Sequence, residues 1–227
     1  MSSLSAGWRK TCGGPRRAQA FTPAVGLRQR EACPELLAPS RSLLGAPQEQ
    51  WLDQAFAQGS GGWTVVGQQS LFGKRDNRPG PGESLWNDGW DGYGPARRRV
   101  TDLVQKHRRA VGNPILLGGD VHENWVGHLK ADYDRPDSAI LGAEFCGTSI
   151  TSRAGDGVHL PQKLAENPHF IFADADRRGY GVCEFTPAGL TTTLQYTTDN
   201  SGTTTGGETP GSSYGKAYGL SVKYAAG

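Results

Sequence analysis

The fold is decided by residues 113–125, whose sequence is NPILLGGDVHENW. An apolar run at residues 115–117 ends in two glycines, and an aspartate and a histidine follow with one residue between them. A short apolar run bounded by turn residues is typical of a buried strand. If the backbone remains extended, Asp120 and His122 lie on the same face of the chain. A carboxylate and an imidazole at the end of a strand predict a metal site. The alternative is a surface histidine in the turn after an ordinary buried strand.

Helical patterns flank this strand. Pro47 suits the first turn of a helix, and the apolar stripe of that helix consists of Trp51, Leu52, Ala55 and Phe56. A second helix is predicted at residues 96–110, with Val100, Leu103, Val104 and His107 facing inward. Its basic residues, Arg97 among them, are expected to be mostly solvated, since acidic residues elsewhere nearly balance them.

Further strands are predicted at residues 63–66, 139–145, 170–172 and 181–185. Their alternation with helices predicts an α/β layered sheet. A glycine- and proline-rich loop at residues 71–94 separates the first strand from the second helix. It contains Trp86, Trp90 and Tyr93, and aromatic residues are scarce in disordered segments. His169 is expected to be a hydrogen-bond donor in a loop.

The composition is that of an ordinary globular domain. A chain of 227 residues can bury one good core, so a single domain is the default. No apolar run approaches the 18 or so residues of a transmembrane helix, and a net charge of +2 gives no reason to expect nucleic-acid binding. The four cysteines have no C-x-x-C spacing. Cys146 and Cys183 are expected to be core thiols, whereas pairing of Cys12 with Cys33 is left open.

Six blocks of sequence occur in a characteristic order. They are 43–45 with 48–52; 63–66 with Gln68 and Gln69; 88–93 with Pro95 and Arg97; 119–122; 144–150; and 167–169 with 177–180. Together they make the chain, from about Leu27 to about Thr198, resemble the alkaline phosphatase D (PhoD-like) family of metallophosphoesterases. The resemblance implies an α/β fold, as part of a layered α/β/β/α sandwich.

The amino-terminal half of the family's catalytic domain has no counterpart in the sequence. We therefore expect three segments: an unmatched basic, disordered one at 1–26, the carboxy-terminal part of a PhoD-like domain at 27–198, and a Gly/Thr/Ser-rich one at 199–227. Residues 1–26 contain no acidic residue and no long apolar stretch, so they do not resemble a secretory signal peptide. This composition is compatible with a transit peptide or a disordered arm, but we favour an internal or out-of-frame start, which would give a truncated form. Family members are commonly exported, but the location of this chain is not predicted.

The resemblance also implies the chemistry, which is metal-dependent hydrolysis of phosphodiesters and phosphomonoesters. Its implied cofactors are iron and calcium, or other divalent ions. Asp120 and His122 match the family's metal ligands, with His122 assigned to the iron-like ion and Asp120 to the adjacent divalent ion. Glu144 is a candidate to accept a hydrogen bond from a metal-bound imidazole, or else a core strand residue.

Four more residues are candidates for the substrate pocket, namely Trp90, Asp91, Tyr93 and Arg178. The alternatives are that the aromatic residues pin the loop onto the core and that the arginine forms a surface salt bridge. The predicted partner is a phosphoester substrate, together with the missing amino-terminal half. A different class of function is also open: a catalytically inactive remnant that acts at most as a binding or interaction module.

Overall fold

The computed structural model describes residues 27–30, 33–59, 61–152, 157–196 and 224–225. Within these residues the helices are α1 (Ala46–Gln58), α2 (Gly94–Lys106), α3 (Arg108–Val111) and α4 (Leu160–Glu166). Short 3₁₀ helices occupy Pro34–Leu37 and Trp90–Tyr93. The strands are β1 (Leu27–Gln29), β2 (Trp63–Gly67), β3 (Ser84–Trp86), β4 (Asn113–Gly118), β5 (Asn124–Lys130), β6 (Ile140–Cys146), β7 (Phe170–Asp174), β8 (Gly179–Thr186), β9 (Gly189–Tyr196) and β10 (Tyr224–Ala225).

A five-stranded mixed sheet forms the centre, in the order β2-β4-β6-β5-β7. Strands β2, β4 and β6 run parallel, whereas β5 is antiparallel to both of its neighbours. Because β6 lies between β4 and β5, the chain that leaves β4 must cross the carboxyl end of β6 before it enters β5. Residues 119–123, called the crossing turn below, make this passage and carry both predicted metal ligands.

Each face of the central sheet is covered by a different layer. Helices α1 and α2 contribute Leu52, Phe56, Val100 and Val104 to a core that includes Leu116 of β4. On the other face, Leu190 of β9 and the flanking Phe185 of β8 pack with Ile115, Val126 and Phe145. The described residues thus form an α/β/β arrangement, which confirms the predicted α/β class. A fourth, helical layer is not formed by them.

The predicted helices are present, with three corrections. In α1, Leu52 and Phe56 are buried as expected, but Trp51 is 62% exposed. The second helix is divided at His107, whose ring bonds to Asp53 across 2.5 Å, so it becomes α2 and α3. Arg97 was expected to be solvated, and this was wrong. It is 6% exposed because Asp91, from the 3₁₀ helix immediately before α2, gives it a buried partner.

Two of the longer strands, β5 and β9, were not predicted. Strand β5 is almost continuously buried, so it lacks the alternation that marks a half-exposed strand. Strand β9 is rich in threonine and alternates regularly in burial. The predicted loop 71–94 contains β3 and a 3₁₀ helix. The predicted segment 1–26 lies outside the described residues, as does most of 199–227, but Tyr224 pairs with Leu190 in the three-stranded sheet.

Candidate metal centre

The crossing turn holds its two candidate ligands in left-handed backbone conformations. Asp120 has φ 71° and His122 has φ 59°, and among the described residues they are the two non-glycine positions with positive φ. Both side chains are exposed. The premise that the backbone stays extended beyond β4 was therefore wrong, because the chain bends at Asp120 to cross β6. Non-glycine residues with positive φ are uncommon, and they cluster at functional sites.

The crossing turn is bonded to the segment that leaves β6. The contacts involve residues 146–148 on one side and residues 118–124 on the other. They are Cys146 Sγ to Gly119 O (3.3 Å), Gly147 N to Gly118 O (2.9 Å), Thr148 Oγ1 to His122 O (3.1 Å) and Thr148 N to Asn124 Oδ1 (3.1 Å). The turn is thus fixed at its beginning, at His122 and at its exit.

Glu123 fixes the turn on the side that faces the protein core. Its carboxylate is buried and accepts hydrogen bonds from Arg75 Nη1 at 2.6 Å and from the Trp125 indole at 2.8 Å. The Arg75 guanidinium also lies 5.4 Å from the centre of the Trp125 ring. Neighbouring residues of the turn therefore have opposite roles, since His122 faces solvent and Glu123 ties the turn to the loop after β2.

The loop after β2 packs closely on the end of β4. A Cβ atom at Gly118 would lie 2.4 Å from the carbonyl oxygen of Ser70, so only glycine allows this approach. Gln68, which begins the loop, accepts a hydrogen bond from the Trp90 indole at 2.9 Å. The carboxyl ends of β2, β4 and β6 consequently meet at one edge of the sheet, where ligands of α/β proteins commonly bind.

Glu144 has a different environment from the one the sequence suggested. Its carboxylate is fully buried and accepts the backbone N–H groups of Phe72 at 2.5 Å and Gly73 at 2.7 Å. Burial raises the pKa of Glu144 to about 7, although these amide bonds and Arg97 act in the opposite direction. In the described structure its hydrogen bonds thus go to the loop after β2, and none goes to an imidazole.

The aromatic segment before α2 is held against the core. Trp90 is 3% exposed and its ring lies 4.7 Å from that of Phe72. Asp91 is buried, pairs with Arg97 at 2.5 Å and accepts the backbone N–H of Arg75. The Arg41 guanidinium lies over the Tyr93 ring at 4.4 Å. These contacts show how the segment is pinned to the core, while a role in substrate binding stays a prediction.

Arg178 lies in the connection between β7 and β8 and is buried rather than on the surface. Its Nε donates to the carbonyl oxygen of Ser152 at 2.6 Å, and the next residue, Gly179, donates its N–H to Ser149 O at 3.1 Å. Arg178 therefore supports the segment that follows Thr148. Contact with a substrate phosphate stays a prediction.

Asp120 and His122 have the right donor chemistry for a metal, but two ligands make an incomplete site. In the ranges that the structure describes, no group of three or more His, Cys, Asp or Glu side chains is placed to hold an ion. Cys146 lies near the turn, yet burial raises the pKa of its thiol well above the ordinary value. Cys33 takes part in a disulfide. The pair thus fits part of a metal site, because oxygen and imidazole donors suit divalent and trivalent ions.

The residues that support the turn were missed by sequence reasoning. Thr148 stands within the block 144–150, but nothing in its pattern shows that it bonds to His122. Arg75 and Glu123 are separated by 47 intervening residues and meet through the sheet topology alone. A cavity of about 530 Å³ near Lys130 and His169 lies at the other end of β5, away from the turn. In the described part of the chain no helix is long and apolar enough to cross a membrane.

The fold and the turn together define a layered α/β/β protein with candidate ligands beyond the end of a central parallel strand. A model of the PhoD-like phosphatase family matches residues 12–194, and the chain belongs to this family. It is similar to alkaline phosphatase D of Bacillus subtilis (strain 168), with 40% identity over 153 residues, which are 66% of this chain and 26% of that protein. A solved structure described as that of PhoD matches with a TM-score of 0.69 and 29% identity, covering 87% of this chain and 37% of the other. The chain thus spans about a quarter of that curated relative.

Proposed function

We propose that the crossing turn supplies two ligands, Asp120 and His122, to the site of a metal-dependent phosphoesterase. The observation that carries the proposal is the geometry of the turn. Two exposed donor side chains occupy left-handed backbone positions in a segment that is bonded on both sides. Family membership supports the reaction class, because the family is one of phosphatases.

Each residue of the turn has a distinct task in this proposal. The Asp120 carboxylate offers oxygen to the ion, and the His122 imidazole binds in its neutral form through a ring nitrogen. Glu123 points inward to Arg75, so it holds the turn in place and does not compete for the ion. Asp120 and His122 would hold part of such a metal centre, which would supply Lewis-acid chemistry for phosphoester hydrolysis.

The proposed chemistry needs more ligands than the described residues provide. Affinity and geometry depend on the number of ligands, so a two-residue set binds an ion weakly. We propose that hydrolysis requires additional ligands, of the kind that the longer relatives have room to supply. Iron and calcium are the proposed ions, with His122 toward the iron-like ion and Asp120 toward the adjacent divalent ion.

Metal binding by the purified chain tests the proposal directly. Asparagine is the informative substitution at both positions, because it tolerates left-handed backbone better than most residues and replaces the carboxylate or the imidazole with a neutral amide, which is a weaker donor. We expect the wild-type chain to take up Mn²⁺, with calorimetric dissociation constants that rise at least about tenfold in Asp120→Asn and in His122→Asn. The matched controls are Asp137→Asn and His159→Asn, which change exposed residues elsewhere.

The two possible outcomes separate the proposed classes of function. Loss of Mn²⁺ binding in the two turn variants, but not in the controls, supports the ligand assignment. Hydrolysis of bis(p-nitrophenyl) phosphate, after the remaining ligands are supplied by a longer chain, then tests the activity. Equal behaviour of wild type, turn variants and controls would contradict the ligand assignment, and a binding or interaction module without catalysis would remain.

A further inference from the structure

We infer that Thr148 is a positioning residue for His122, an inference that rests on the proposed ligand role of the crossing turn. Thr148 makes two hydrogen bonds to the turn with two different groups. Its hydroxyl donates to the carbonyl oxygen of His122 at 3.1 Å, and its backbone N–H donates to Oδ1 of Asn124 at 3.1 Å. One residue therefore binds the chain on both sides of Glu123.

The sheet topology explains why Thr148 is in this place. The paired register of β5 and β6 ends at Trp125 and Cys146, so beyond that point the backbones no longer bond to each other as a ladder. Asn124 and Thr148 lie just past this end. Side-chain hydrogen bonds from these two residues continue the connection where the backbone pairing stops, and they do so beside the exposed imidazole.

The backbone at His122 needs such a contact. A left-handed conformation at a non-glycine residue costs of order 1 kcal/mol or more and persists only when its surroundings determine it. The peptide group that follows His122 is held from two directions: Thr148 binds its carbonyl oxygen, and Glu123, bonded to Arg75 at 2.6 Å, fixes the residue on its other side. Without the hydroxyl, the His122 carbonyl loses one of these two restraints. The imidazole of His122 is then held less firmly in its direction.

Buried side chains around the turn make the restraint local. Asn124 is 2% exposed and Glu123 is 4% exposed, so the exit of the turn is fixed in the core. His122 itself is exposed, and its described hydrogen bond is the one from Thr148 to its carbonyl. We expect loss of the hydroxyl to change the conformation at residues 121–123 and to leave the sheet intact.

The test compares Thr148→Val, which keeps the branched shape and removes the hydroxyl, with Thr148→Ser, which keeps the hydroxyl. The matched control is Thr64→Val, because the Thr64 hydroxyl also donates to a backbone carbonyl, that of Val111. Thr64 lies near the start of β2, at the end of the strand that is away from the crossing turn. The first readout uses no metal: the backbone amide, Cα and Cβ chemical shifts of residues 119–124, which report backbone conformation. The second is the calorimetric dissociation constant for Mn²⁺.

We expect Thr148→Val to move the shifts of Val121, His122 and Glu123 and to weaken Mn²⁺ binding by about tenfold, the lower range for residues that orient a metal ligand. Thr148→Ser is expected to restore both readouts, and Thr64→Val to change neither. If Thr148→Val does not fold, Thr148→Ala removes the hydroxyl without a bulky side chain and takes its place.

Three results would overturn the inference. They are wild-type shifts at residues 121–123 in Thr148→Val, failure of Thr148→Ser to rescue, or an equal change in Thr64→Val. A wild-type chain that binds no Mn²⁺ would overturn the ligand proposal instead. In that case the metal-free shifts would still decide whether Thr148 fixes the conformation of the turn.

Discussion

Glu144 on β6 accepts the backbone N–H of Phe72 at 2.5 Å, although 71 residues separate the two along the chain. The second carboxylate oxygen accepts Gly73 N–H at 2.7 Å. The side chain of a central strand therefore holds the loop after β2, and that loop carries Arg75, the partner of Glu123. The protonation state of the Glu144 carboxylate is therefore linked to the loop that carries Arg75, and through Arg75 to the crossing turn.

Glu144→Gln is predicted to remove a pH dependence of stability. Burial raises the pKa of Glu144 to about 7, above the ordinary value of 4.5, so the folded state holds this proton more tightly than the unfolded state. Its contribution is thus fully present below pH 4.5 and is lost as the pH rises through 7. We expect the free energy of unfolding of wild type, relative to Glu144→Gln, to fall by about 3 kcal/mol between pH 4.5 and 7.5.

Urea unfolding at a series of pH values measures this difference. Glu184→Gln, at an exposed position of β8, is the control and should follow the wild-type profile. A wild-type curve parallel to that of Glu144→Gln over the whole range would show that Glu144 does not titrate in this way.

His169 is predicted to make the free energy of unfolding depend on pH in the opposite direction. Burial lowers its pKa to about 4, although the hydrogen bond that its Nε2 donates to the Lys74 carbonyl at 2.7 Å acts in the opposite direction. This stability is present above pH 6.5 and is lost as the pH falls through 4. Relative to His169→Gln, the wild-type free energy of unfolding should therefore rise by about 3 kcal/mol between pH 4 and 6.5.

The exposed His159 provides the control for this second slope, because His159→Gln should leave it unchanged. In the wild type the slopes of Glu144 and His169 oppose each other between pH 4.5 and 6.5. Each substitution is expected to reveal the slope of the other residue, and two flat variant profiles would contradict both assignments.

Loss of one member of the Asp91–Arg97 pair is predicted to destabilise the folded protein strongly. Both side chains are at least nine-tenths buried and they meet at 2.5 Å, so Arg97→Met leaves an uncompensated buried carboxylate. We expect it to lower the free energy of unfolding by about 3–5 kcal/mol. The double variant with Asp91→Asn should cost less than the sum of the single changes, because it leaves no charge alone.

A double-mutant cycle measured by urea unfolding tests this coupling. The comparison pair is Arg98 with Asp102, which meet at 3.0 Å with about half of each side chain exposed. Its coupling should stay below about 1 kcal/mol. Equal coupling energies in the two cycles would mean that burial does not strengthen the Asp91–Arg97 pair.

Gly118→Ala is predicted to destabilise the end of β4. The added methyl group would lie 2.4 Å from the carbonyl oxygen of Ser70, so the backbone must move, at a cost of about 1–3 kcal/mol. Gly67→Ala, at the end of the neighbouring strand β2, is the matched control, since a methyl group there would meet no atom of the described residues within 4 Å, apart from those of its two chain neighbours. Equal free energies of unfolding for the two variants would show that the loop after β2 adapts easily.

The sequence predicted the strands whose apolar runs are short and clearly bounded, and it identified the layered α/β class. It could not predict the backbone at Asp120 and His122, because that conformation depends on the later strand β6 inserting between β4 and β5. The burial of Arg97 was missed for a related reason. Its partner Asp91 precedes it in a segment without a helical pattern, so the helix alone suggested a solvated residue.

Arg75, Glu123 and Thr148 show the same limit for the site. Each was an ordinary polar residue in the sequence, and each acquires its role only when distant segments meet at one edge of the sheet. The two candidate ligands could be predicted because they lie two residues apart in a recognisable block. The residues that hold them are brought together by tertiary structure.

The crossing turn has five residues, and bonds to its neighbours fix it at both ends and at His122. An insertion or deletion there would break at least one of these bonds or shift β5 in its register. By contrast, residues 78–82 are all exposed and lie in a long loop. Variation in chain length is tolerated best at such exposed positions. A lineage or a designer that adapts this scaffold therefore has freedom of length at residues 78–82, while the crossing turn can change only by substitution.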